Sequence, residues 1–298
     1  MDASTMSLDG ATSLAGDIRA LARRAAECLK DDRGPRLLAS RRMARPVDYM
    51  RYAEFAAVLA DLTLDSGMRV LDVSSPQWLS LHLANIRPDV EFRYVNILPA
   101  ELEHFSPIAA ALGLHNITFS EEDVRALSLA DDTFDRVVSV SVIEHVHPEV
   151  GGDTRALAEI RRVLRPGGEV VATVPYKERA ASVYVDGAVY EREAEEHNFF
   201  AREYDRDGLE RLIAGSGLTL VDRWLISEMR GALAVDYFEW GPGRAQRLHA
   251  ALVRSRILLQ PLTGRSLDGV LARRYLRVSR EPAGRLVNVC ARLRKSSV

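Results

Sequence analysis

The stretch EEDVRALSLADDTFDRVVSVSVIEHV, residues 121–146, decides how this chain is read. Phe134–Val140 (FDRVVSV) is an apolar, β-branched run of strand length. Asp123 follows another such run, Ile117–Ser120, and the pair Glu144-His145 follows Phe134–Val140 directly. Acids and a histidine therefore stand at the carboxyl ends of two strands. In sheets built from alternating strands and helices, that is where ligands bind.

Working outward, strand and helix signals alternate. Upstream lie a strand at Arg69–Val73 (RVLDV), a helix at Trp78–Ala84, a strand at Glu91–Asn96 and a helix at Ala100–Leu112. Downstream, the amphipathic Thr154–Leu164 is cut off by Arg165-Pro166-Gly167-Gly168 and followed by a strand at Glu169–Val174. A helix at Asp207–Ala214, a strand at Leu218–Ile226 and a last strand at Leu286–Arg292 complete the series. Strands separated by helices require right-handed crossovers, and hence a mostly parallel sheet covered on both faces. Before all this, residues 1–10 are small and polar and read as disordered. Helical spacing runs from Leu14 to Lys30, stopped by DDRGP, and again from Pro46 to Leu64. Residues 1–64 read as a helical cap and 65–298 as the main domain, with insertions at about 176–203 and 240–281.

Composition narrows the class. Hydrophobic residues make up 47% of the 298 and charged residues 28%, an ordinary globular balance. Cys28 and Cys290 are the only cysteines, so no disulfide framework or paired-cysteine metal site can be written, in keeping with a cytoplasmic protein. No run of about 18 apolar residues occurs, so no membrane span is expected. The net charge of −2 is unevenly spread: from Gly241 onward, 13 Arg and Lys face only Asp268 and Glu281. Within that region His249–Leu259 and Leu267–Leu276 read as helices, apolar on one side and arginine-rich on the other. Such helices suit peripheral membrane contact, a phosphorylated lipid, a homodimer interface or a cap on the core. No nucleic-acid motif appears, and no nucleic-acid partner is expected.

Several segments together resemble the class I S-adenosylmethionine (SAM) dependent methyltransferases. They are VLDV around Asp72, the 121–146 stretch, IRRVLRPGGEVVATVPY (160–176) and FFAREYDRDGLERLIAGSGLTLVDRW (199–224). The resemblance implies a Rossmann-like, doubly wound α/β fold whose seven-stranded sheet is mostly parallel, with the last strand antiparallel. It also implies SAM as cofactor. Asp72, Val73, Ser74 and Ser75 would form the first turn around it, Asn96 and Ile97 would meet the ribose, and Asp123 and Val124 the adenine. Ser139 and Ser141 would line the path from the sulfonium to the acceptor. The departure is the first turn itself: Val73-Ser74-Ser75-Pro76-Gln77-Trp78 contains no glycine where the family has three. Either serine hydroxyls replace some backbone contacts to SAM, or the pocket is degenerate and the domain binds or scaffolds something else. A SAM-binding enzyme with other chemistry, such as cyclisation, is a further alternative.

On the acceptor side, His145 beside Glu144 is the candidate general base for methylating an oxygen; the plain structural alternative is a turn-capping Glu144 and a packed His145. With His147 these residues could be read as metal ligands. The place where metal-assisted relatives carry a further acid is held by Ser141, so no metal is expected. The insertion 176–203 carries Tyr184, Tyr190, His197, Phe199 and Phe200. With Tyr49, Tyr52 and Phe55 it would surround a small-molecule acceptor, lipid-linked or anionic among the options, or else form a small secondary core.

Overall fold

The computed structural model describes residues 5–229 and 267–297. Five strands, β2 (Arg69–Val73), β3 (Glu91–Asn96), β4 (Ile117–Glu121), β5 (Phe134–Val140) and β6 (Leu164–Pro175), run parallel in the order β4-β3-β2-β5-β6. The chain starts in the middle at β2, moves outward to β4, then crosses to β5 on the other side. The carboxyl ends of β2 and β5 therefore flank the switch point, where a crevice forms. Beyond β6 lies β11 (Arg285–Arg294), antiparallel both to β6 and to β9 (Thr219–Glu228).

Among the described residues the sheet has nine strands rather than the expected seven. The additions are β10 (Leu276–Ser279), antiparallel to β9, and β1 (Thr5–Met6), antiparallel to β10. Both lie where the sequence reading had no strand, β1 within residues 1–10 and β10 at the end of a helical pattern. Short edge strands carry little periodicity. Their role is visible only in three dimensions, where β10 covers the open backbone of β9 and β1 in turn that of β10.

Helices α4 (Gln77–Ile86) and α5 (Pro99–Ala111) join the N-terminal helices α1 (Asp9–Cys28), α2 (Arg33–Ala44) and α3 (Tyr49–Asp61) on one face. Ile18, Tyr52, Leu79, Tyr94 and Ile108 are almost fully buried in one continuous core there, so the N-terminal helices help to build the domain's own core. Helix α2 had no counterpart in the sequence reading, which took DDRGP as a stop; Pro35 instead occupies the first turn of α2, where its missing N–H costs nothing. The opposite face is covered by α6 (Gly152–Val163) and α7 (Arg206–Ser216), whose Leu157, Ile160 and Leu212 form a second core. Helix α8 (Leu267–Tyr275) packs on α3; a Cβ on Gly269 would lie 2.8 Å from the Tyr52 ring, so only glycine allows this approach. The expected helix at His249–Leu259 lies outside the described residues.

The insertion at 176–203 is a separate antiparallel hairpin, β7 (Ala181–Val189) with β8 (Arg192–Glu203). Tyr190 and Glu191 form its tip. Among the described residues no helix is long and apolar enough to cross a membrane.

Candidate cofactor and acceptor site

The glycine-less turn after β2 keeps a tight geometry by other means. Ser74 adopts a φ of 52°, the left-handed region that glycine usually serves. Two bonds to Val95 O at 2.9 Å, one from the Ser74 amide and one from its hydroxyl, hold it there. Ser75 is wholly buried: its hydroxyl accepts from Val140 N, its amide donates to Asp72, and its carbonyl accepts from Tyr94 OH. Asp72 accepts from Ser75 N at 2.9 Å and from the Ser80 hydroxyl at 2.5 Å. Burial pushes its carboxyl up to about 6. Asp72 and Ser75 thus brace the turn between β2, β3 and β5, and neither lines the cavity beside it.

That cavity, of about 240 Å³, opens at the carboxyl ends of β2, β3, β4 and β5. Of the residues expected at the cofactor, Val73, Ser74, Asn96, Ile97, Asp123, Val124 and Ser141 line it, together with His145. Ser139 is fully buried, with a hydroxyl that has no partner among the described residues, and does not reach the cavity. Gln77, Glu101, Glu122, Arg125, His147, Tyr190 and Glu191 line it as well. His147 and Tyr190 were singled out on the acceptor side, whereas no sequence pattern marks Gln77, Glu101, Glu122, Arg125 and Glu191, each of which sits on the first turn of a helix, in a loop or at a hairpin tip.

The polar groups of this wall are largely engaged with one another. Asn96 donates to Tyr94 OH at 3.2 Å and accepts from Leu98 N at 2.9 Å. Gln77 donates to Glu101 at 2.6 Å, which places a carboxylate from α5 in the wall one turn beyond Asn96. Asp123 is gripped by Arg125, whose Nη2 lies 2.6 Å from Oδ2. That hydrogen bond holds the Asp123 carboxyl below its ordinary range and raises the guanidinium.

At the other end stands His145. Its Nδ1 lies 2.7 Å from Phe200 O, so the proton resides on Nδ1 and Nε2 keeps its lone pair. The rings of Phe200 and Tyr190 pack edge-on against it, with centroids 4.7 and 5.2 Å away. Burial drives its pKa down to about 4, aided by the charges of Arg51, Arg202 and Arg192. Glu144 is fully buried, and its Oε1 is 3.7 Å from His145 Nε2, too far for a hydrogen bond. Neither of its oxygens has a partner among the described residues. Burial, reinforced by the Glu54 charge, pushes Glu144 up to about 8. At neutral pH the pair is a neutral acid beside a neutral imidazole.

Glu54 is the residue that sequence reading missed. On the apolar helix α3 it is fully buried, and its Oε1 accepts from Ser141 Oγ, Thr173 Oγ1 and Asn288 Nδ2 at 2.6, 2.8 and 2.9 Å. Arg51 balances its charge at 2.5 Å. An acid in mid-helix within the apolar run YMRYAEFAAVLAD was the available signal. Arg202 ties the loop after β5 together, donating to the carbonyls of Glu144, Val146, Pro148 and Glu149.

Residues 74–172 match the family model described as a methyltransferase domain. The fold is that of the class I SAM-dependent methyltransferases. Among solved structures, the [4+2]-cyclase SpnF superposes with a TM-score of 0.52 at 17% identity, over 85% of this chain and 84% of that one. A SAM-dependent methyltransferase from Methanosarcina mazei gives 0.50 at 16%, over 78% and 94%. At such identities the likeness concerns the methyltransferase fold alone.

Proposed function

We propose that this chain is a SAM-dependent methyltransferase that methylates an oxygen of a small organic acceptor. The observation that carries the reading is the cavity at the switch point, lined at once by the cofactor-side residues Ser74, Asn96 and Asp123 and by Ser141 and His145. The residues present suit the cofactor. Val73, Ile97, Val124 and Val142 supply apolar wall for a purine and ribose, while Glu101 and Asp123 supply carboxylates for their hydroxyl and amino groups. Bound there, SAM supplies a methyl group on a positively charged sulfur.

The chain's own part is alignment and proton handling. Ser141, Val142 and His145 border the acceptor end, and the hairpin tip with Tyr190 helps to exclude water. His145 Nε2, held bare by the Phe200 bond, takes the hydroxyl proton as the acceptor oxygen attacks. Being unprotonated throughout the neutral range, the imidazole is available to receive that proton. A lipid-linked or anionic acceptor, and a homodimer interface, would be served by the basic region from Gly241 onward, of which residues 241–266 lie outside the described residues.

A second reading is cyclisation on a retained cofactor site. The likeness to a [4+2]-cyclase and the absence of glycine from the first turn favour it. One assay separates the two. Methyl-labelled SAM is incubated with the protein and a panel of phenols, alcohols and carboxylic acids, and labelled products are sought. Transfer that is lost in His145→Ala but kept in Cys28→Ser supports methylation. Binding of SAM with no label transferred to any class favours the cyclase reading.

A further inference from the structure

Asp123 has both carboxylate oxygens already engaged by one neighbour, Arg125. Its Oδ1 receives the Arg125 amide and Nε, both at 2.9 Å, and its Oδ2 receives Nε at 2.9 Å and Nη2 at 2.6 Å. A carboxylate offers about four lone-pair sites, and three N–H groups of one residue, with Nε–H shared between the two oxygens, engage both oxygens here. The same guanidinium donates through Nη1 to His147 O at 2.6 Å, so Arg125 links the adenine end of the cavity to the loop after β5. Glu191, at the hairpin tip, lines the same cavity as Arg125 and presents a second carboxylate there. The Asp123–Arg125 pair is partly exposed, with side chains 33% and 25% accessible, which keeps the cost of separating it modest.

We propose that Arg125 is the switch residue of the adenine subsite: an adenosyl ligand displaces it from Asp123, and the guanidinium passes to Glu191 on the hairpin. The proposal rests on the SAM reading above and adds a competitor and a destination to it. An amino group on the ligand provides the N–H that replaces Arg125 on the carboxylate. Arg125, once released, finds a second carboxylate without crossing to bulk water. Because Glu191 adjoins Tyr190, which packs on His145, occupancy of the adenine end is passed to the acceptor end through the hairpin.

The test is a calorimetric titration with S-adenosylhomocysteine of the wild-type chain, Arg125→Gln, Glu191→Gln and the double variant. Ligand-free melting curves check that each folds, and Arg125→Lys serves as a second, charge-keeping replacement with fewer donors. Arg125→Gln should bind about threefold to tenfold more tightly than wild type, since its competing donors are gone. Arg125→Lys should fall between them. Glu191→Gln should bind about threefold more weakly in the wild-type background and without effect in the Arg125→Gln background. Unchanged or weaker binding by Arg125→Gln overturns the proposal, because the guanidinium is then part of the binding wall. A Glu191→Gln effect that persists without Arg125 overturns the exchange. If neither wild type nor Arg125→Gln binds at millimolar ligand, the SAM reading itself fails, and the switch with it.

Discussion

The Ser141 hydroxyl donates to the Glu54 carboxylate at 2.6 Å, and this single bond joins the N-terminal helix α3 to the wall of the cavity. Ser141 itself has a φ of 52° at the end of β5, an uncommon backbone held by its amide bonds to Thr173. The residue expected to face the cofactor is therefore positioned by a helix outside the methyltransferase-like segment.

Replacing Glu54 should show this dependence. Glu54→Ala strands the donors of Ser141, Thr173 and Asn288 and removes the carboxylate paired with Arg51. The expected loss is about 3 kcal/mol of stability, read from the urea midpoint. Glu54→Gln, which keeps an acceptor but not the charge, should cost less. A Glu54→Ala midpoint equal to wild type contradicts the network.

Glu144 gives the fold a pH signature. Its folded pKa of about 8 lies above its ordinary value of 4.5, so between those values the folded chain holds a proton that the unfolded chain has lost. Stability contributed by the protonated form is full below the lower value and declines as pH rises toward 8, by up to roughly 1.4 kcal/mol per pH unit. His145 acts oppositely between about 4 and 6.5, where the unfolded chain binds the extra proton. The clean window is therefore pH 6.5 to 8. Denaturant midpoints of the wild type should fall across it, while those of Glu144→Gln stay flat. Parallel curves would mean that Glu144 is ionised in the folded chain.

Much of this was legible from residues alone, for identifiable reasons. Buried parallel strands such as Arg69–Val73 and Phe134–Val140 declare themselves by apolar runs, and amphipathic α6 by its spacing. The cavity-lining places of Asn96, Asp123 and His145 followed from strand ends. What the pattern could not carry was orientation. Asp72 and Ser75 turn inward to hold each other, Ser139 is buried, and Arg125 covers Asp123, all through side-chain choices that spacing does not encode. Glu54 escaped notice because its meaning depends on Thr173 and Asn288, distant in the chain. The strand pair β1 and β10 was too short to show a period.

Arg202 should prove a keystone of the loop after β5. It is 7% accessible, serves four carbonyls between Glu144 and Glu149, and lies 3.3 Å from Asp153, which also accepts from Tyr204 OH at 2.8 Å. Arg202→Met keeps the bulk but none of the donors. A loss of about 3 kcal/mol is expected in equilibrium unfolding, with faster amide exchange in residues 144–149. Unaltered exchange there would assign the loop's order to other contacts.

Gly152 begins α6 directly beneath that loop. A Cβ at this position would lie 2.5 Å from Val146 O and 2.7 Å from the His147 carbonyl carbon, backbone atoms with no freedom to yield. Gly152→Ala should cost about 1–3 kcal/mol by thermal unfolding. Gly10→Ala, where nothing lies within 4 Å of the added carbon, should cost little or nothing and serves as the control.

The central claim is that the cavity between Ser74, Asn96, Asp123 and His145 holds SAM. Its most direct test is the thermal shift of the wild-type chain with SAM and with S-adenosylhomocysteine. At about a hundredfold excess over Kd, bound ligand should add about 2.7 kcal/mol of apparent stability, a rise in Tm of several degrees, and Asp123→Ala should diminish it. No shift with either ligand at millimolar concentration, in wild type or in Arg125→Gln, would contradict the account while leaving the methyltransferase fold in place.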